Sequence, residues 1–161
     1  MFEVLAFVYD SYWSGPECPA LPTLHRTLDA VGFDADEILN ALVWLEDLQS
    51  AAHTPSLHAP LDISSGASLD PDRSIRIWTA AEQRKLGSHA WGLLTHLATV
   101  GSLPWDRMEL VIDRAMASPG STITLDDLKL IVLMVFWSLN DVPDPLVTDS
   151  MLGDGTGHPV H

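Results

Sequence analysis

The 161-residue chain is long enough for one domain or two small ones, since folded domains hold roughly 100 to 200 residues, and its 47% apolar and 19% charged content excludes a disordered chain. Its 22 acidic side chains against 8 basic ones give a formal net charge of −14, a field that repels phosphate and anionic lipid and favours partners with a basic protein surface. Cys18 is the single cysteine, which excludes an intramolecular disulfide or a cysteine-rich zinc site and suits a reducing compartment.

The apolar start, Met1 to Val8, has no basic leading region and carries Glu3, then Asp10, so it reads as a buried helix rather than an export signal. Helical spacing runs from Phe2 to about Tyr12, with Phe2, Leu5, Val8, Tyr9 and Tyr12 on one face, and Ser14, Gly15 and Pro16 break it. A second helix is expected from about Thr23 to Val31, stopping at Gly32, with Phe33 stapling the turn. Asp34 with Glu37 resembles a capping box and opens a third helix to about Leu48, whose stripe is Ile38, Ala41, Leu42, Leu45 and Leu48. Two helices joined by Gly-Phe-Asp make a tight helix-turn-helix.

From Gln49 to Arg73 no period persists, as in a linker or long loop. Ser74 to Trp78 alternates polar and apolar residues, suits a short strand and could form the wing of a winged helix. Thr79 with Glu82 caps a helix reaching about Val100 before Gly101, Pro104 opens the next, and Pro119 with Gly120 ends it. Thr124 with Asp127 caps a last helix, Leu125 to about Leu139, apolar round its whole circumference and therefore the expected centre of a bundle. Its run from Leu130 to Trp137 is far short of the roughly 20 residues that span a bilayer.

The expected architecture is mainly α. Residues 1–49 form an N-terminal three-helix unit of helix-turn-helix or winged-helix-like form, 50–78 a loop with a short β connector, 79–139 a C-terminal helical bundle, and 140–161 a flexible tail.

Several blocks carry a family resemblance in order and spacing. They are Met1 to Leu5, the Gly32-Phe33 turn followed by Ala41 to Leu45, Ser74 to Thr79 with Glu82 and Gln83, Val111 to Arg114, and Asp126 to Lys129 through Val132 to Val135. Together they resemble the Smg family of bacterial proteins over most of the chain from Met1 to about Phe136. The resemblance implies a cytoplasmic bacterial protein, commonly encoded near a DNA-processing protein and a type I topoisomerase. It implies no established activity, cofactor or catalytic residue.

A helix-turn-helix invites a DNA-binding reading, but recognition helices expose Arg, Lys, Asn or Gln. Asp34, Asp36, Glu37, Glu46 and Asp47 make the third helix acidic, and Asn40 alone could address a base. The competing readings are a docking face of Asp34, Asp36, Glu37, Asn40, Glu46 and Asp47 for a basic protein surface, or a plain solvated face. Arg73, Arg76, Arg84 and Lys85 form the one candidate nucleic-acid patch, with Asp70, Asp72 and Glu82 among them to neutralise it. Arg114 and Lys129 are isolated charges beside apolar stripes that could pair with Asp113 or Asp126.

His25, His53, His58, His89 and His96 show no three- or four-residue helical pairing and His158 and His161 lie in the tail, so no metal set is expected, the alternative being a loop site shared by His53, His58 and Asp62. Asp126 with Asp127 suits a helix N-terminus and Glu109 with Asp113 a solvated face, and no nucleophile elbow or phosphate-cradling loop accompanies either pair. The acidic third helix and the absence of catalytic motifs point to a non-enzymatic adaptor without cofactor, which the resemblance sets in the cytoplasm and links to DNA processing or translation, with nucleic-acid binding through the basic residues as the alternative. Self-association stays open, because the aromatic-rich first helix and Trp137 could bury against another copy.

Overall fold

The computed structural model describes residues 1–13, 15, 19–53, 77–143, 145, 147 and 148. Among them the chain forms α1 (Phe2–Tyr12), α2 (Leu21–Val31), α3 (Ala35–His53), α4 (Ala80–Thr99), α5 (Trp105–Ala117) and α6 (Leu125–Ser138), a mainly α protein.

The helix ends follow local chemistry. At the starts of α4 and α6 the Thr79 and Thr124 hydroxyls accept the backbone N–H of Glu82 and Asp127, whose carboxylates accept the N–H of the threonines in return. Gly32 closes α2 at φ 99°, where a side chain would be strained, and lets the Phe33 N–H reach the Leu28 carbonyl at 3.3 Å. Phe33 then meets Phe7 edge-on, ring centres 5.6 Å apart, which fastens the turn to α1.

Two boundaries differ from expectation. α2 begins at Leu21 rather than Thr23, because Pro22 is tolerated in a first turn whose N–H groups lack helical partners anyway. α3 continues past Leu48 to His53, since Gln49, Ser50, Ala51 and Ala52 contain no breaker before Pro55.

The winged-helix form and the β connector are not supported. Residues 74–76 lie outside the described residues, and no strand occurs among the described ones. Ile77 is 89% exposed while Trp78 is buried, its ring edge-on to Trp91 with centres 4.2 Å apart. Within that stretch Trp78 is anchored in the core ahead of the Thr79 cap while Ile77 stands outside it.

α6 lies at the centre. Leu128 and Ile131 to Phe136 are buried round its circumference, and α1, α3, α4 and α5 all pack against it. α3 touches α1, α2, α5 and α6, so the first three helices and the later ones share one buried cluster among the described residues. Beyond α6, in the stretch expected as a flexible tail, Asn140 turns the chain at φ 52° and its neighbour Asp141 pairs with Arg107, itself over the Phe136 ring. Val147 is fully buried in the same core.

α4 is broken at Gly87, whose φ of 71° and ψ of 173° suit glycine almost exclusively. The break diverts the Lys85 carbonyl from the helical ladder, and it accepts the Ile123 N–H at 3.0 Å, joining α4 to the turn before α6.

Candidate functional site

α3 divides into an inner and an outer arc. Ile38, Ala41, Leu42, Trp44, Leu45 and Leu48 are buried, and Asp36, Leu39, Asn40, Val43, Glu46 and Asp47 are exposed. The helix contains no lysine or arginine.

The six expected docking residues do not act alike. Asp34 is the N-terminal cap, its Oδ1 accepting the Asp36 N–H at 3.0 Å. Glu37 does not complete a capping box; its Oε1 lies 3.3 Å from the Met1 ammonium and ties α3 to the start of α1. A full positive charge outcompetes a neutral backbone N–H for that carboxylate. Asp47 leans towards α5, 3.7 Å from the Arg114 guanidinium. Asp36, Asn40 and Glu46 face solvent, and neither Asp36 nor Glu46 has an ion pair among the described residues.

Arg114 forms the seam between α3 and α5. Its guanidinium is only 11% exposed and donates to Asp113 Oδ2 from Nε at 3.1 Å and Nη2 at 2.7 Å. Its carbonyl accepts the Trp44 indole N–H at 3.0 Å. Of the pairings open to Arg114 in the sequence, Asp113 is the one formed, joined by Asp47 from α3.

Sequence reasoning missed Leu39 and Val43, which are 58% and 49% exposed. At roughly 100° per residue they lie about 140° and 180° from the middle of the buried arc, so they do not extend the core stripe. They are four residues apart and meet on one face, with Asp36, Asn40, Glu46 and Asp47 each within a turn of one of them. The available signal was their place opposite the stripe of Ile38, Ala41, Leu42, Leu45 and Leu48.

The basic residues are not gathered into one patch among the described residues. Arg73 and Arg76 lie outside them. Arg84 is exposed, with its Nε on the Ala80 carbonyl at 3.1 Å. The Lys85 ammonium donates to the Met116 carbonyl at 2.9 Å and to the Ser118 carbonyl, closing the C-terminus of α5, and burial lowers its pKa. Lys85 is thereby held by protein carbonyls.

Among the described residues no group of His, Cys, Asp and Glu is placed to hold a metal ion, and no helix is long and apolar enough to cross a membrane. Fold and face together define a small helical protein built round a buried α6, with an acidic outer arc on α3. The chain belongs to the family described as protein of unknown function DUF494, whose model matches residues 1–161. It is 38% identical over 161 residues to the Protein Smg homolog of Leptothrix cholodnii, covering all of both chains. The Protein Smg homolog of Methylibium petroleiphilum is also 38% identical over 161 residues, again all of both chains. That of Aromatoleum aromaticum is 38% identical over 154 residues, 96% of this chain and 94% of the relative. The Smg resemblance read from the residues is therefore shown, and it spans the whole chain. No solved structure matches it.

Proposed function

We propose that the protein is a non-enzymatic adaptor of the bacterial cytoplasm, linked to DNA processing or translation, that holds a basic protein surface on the outer arc of α3. One observation carries the reading: Asp36 and Glu46 stand on a helix face without lysine or arginine and have no ion pair among the described residues. Carboxylates so placed are fully available to cations on a partner, and they steer its approach. The inner arc of α3 is fixed by four other helices, so the face is preorganised.

The test is affinity capture from a native lysate with the parent chain and with Asp36→Lys/Glu46→Lys. Loss of a defined basic partner from the variant supports the adaptor; retention of every partner rejects it. Glu37 is left unchanged, because its pairing with Met1 would mix a folding effect into the result.

The second reading, nucleic-acid binding through Arg73, Arg76, Arg84 and Lys85, draws on the exposure of Arg84. It requires salt-dependent affinity that falls when the four become alanine, and the absence of any retardation with DNA or RNA at low salt removes it.

A further inference from the structure

We propose that Leu39 and Val43 are the anchoring centre of the α3 face and that its occupant is a basic amphipathic helix of a partner protein. The inference rests on the adaptor reading and goes further by naming the hot spot and the form of the ligand.

Three observations carry it. First, the two apolar side chains are 58% and 49% exposed on the side of α3 opposite its buried arc. Scattered exposed leucines need no explanation, but here two apolar groups stack one turn apart, opposite the core. Second, polar groups surround them: Asp36 one turn before Leu39, Asn40 between, Glu46 and Asp47 one turn beyond Val43. An apolar centre inside a polar rim is the anatomy of a docking site. Third, α3 itself has no lysine or arginine and, although Asp47 lies 3.7 Å from Arg114, the rim carboxylates of Asp36 and Glu46 have no ion pair among the described residues, so the complementary ligand has apolar groups flanked by lysine or arginine. A helix offers that pattern at the same four-residue spacing, so its own apolar pair can pack along Leu39 and Val43 while its cations reach Asp36 and Glu46. A second copy of this chain fits poorly, because two net charges of −14 would have to meet across two acidic rims.

The probe is a synthetic peptide of lysine and leucine, about 16 residues long so that it can form helix, with leucines at helical spacing. A control peptide has the same composition in shuffled order. Binding to the full chain is followed by calorimetry and by backbone amide shifts. The expected result is that shifts centre on Asp36 to Asp47, that the ordered peptide binds more tightly than the shuffled one, and that Leu39→Gln/Val43→Gln weakens it about tenfold. Asp36→Lys/Glu46→Lys should weaken it as well.

If the glutamine variant binds like the parent while the lysine variant loses the peptide, the anchoring role is overturned and the adaptor reading stands. If neither variant changes the affinity, both fall. If the parent is a dimer by light scattering that the glutamine variant dissociates, the occupant is a second copy and the inference is overturned. Glutamine keeps high helix propensity at solvent-facing positions, and Leu39→Lys alone, which should weaken the peptide in the same direction, is the independent check should the double variant lose helix by circular dichroism.

Discussion

Tyr9 packs partly against the core beside Asp10, and burial, helped by that carboxylate, pushes its phenol up to about 12 from the ordinary 10.0. The folded protein thus keeps the proton after the unfolded chain has lost it. Between pH 10.0 and about 12 the unfolded chain binds fewer protons, so stability is full below pH 10.0 and falls as the pH rises through that window. Urea unfolding across this range should show the fall, and Tyr9→Phe should remove the part due to this phenol. At Lys85 the ammonium closes the end of α5, so Lys85→Met, which keeps the stem, should cost about 1 kcal/mol by urea unfolding. The basic character of Lys85 was plain in the sequence. Its engagement by carbonyls of Met116 and Ser118, more than thirty residues on, was not, because only the folded chain brings them together.

Among the elements, capping chemistry was the most legible part of the fold. Thr79 with Glu82 and Thr124 with Asp127 form the boxes that their spacing predicts, since both partners lie within one turn. Asp34 with Glu37 has equivalent spacing and no box, because the chain's own ammonium reaches Glu37 from α1. The circumferentially apolar α6 was legible as the bundle centre, since an apolar circumference leaves burial on every side as the stable outcome. The strand expected at Ser74 to Trp78 illustrates the limit of periodicity: alternation over a few residues does not specify a pairing partner.

The break in α4 carried no clear signal either, since an isolated glycine is tolerated inside a helix. Gly87→Ala tests it. Nothing lies within 4 Å of an added methyl group, so the penalty comes from the backbone at φ 71° alone. That strain should cost about 1–3 kcal/mol, read as a lower urea midpoint. An unchanged midpoint would mean that α4 runs straight through Gly87.

At the scale of the whole molecule, one cluster centred on α6 fixes the inner side of α3 and leaves its outer side to solvent. Half of the candidate site was visible beforehand: the carboxylates could be read from their spacing, whereas the division between Asp34, Glu37 and Asp47, held by intramolecular contacts, and Asp36 and Glu46, without an ion pair among the described residues, needed the positions of α1 and α5. Leu39 and Val43 escaped notice because a stripe identifies which residues are buried, not which apolar residues are left out. With a net charge of −14, association through this face should weaken as salt rises. The most direct measurement is therefore the comparison of proteins captured from a native lysate by the parent and by Asp36→Lys/Glu46→Lys, at low and high salt. A basic partner held by the parent at low salt, weakened by salt and absent from the variant is expected; a variant that keeps every partner of the parent would contradict docking on this face.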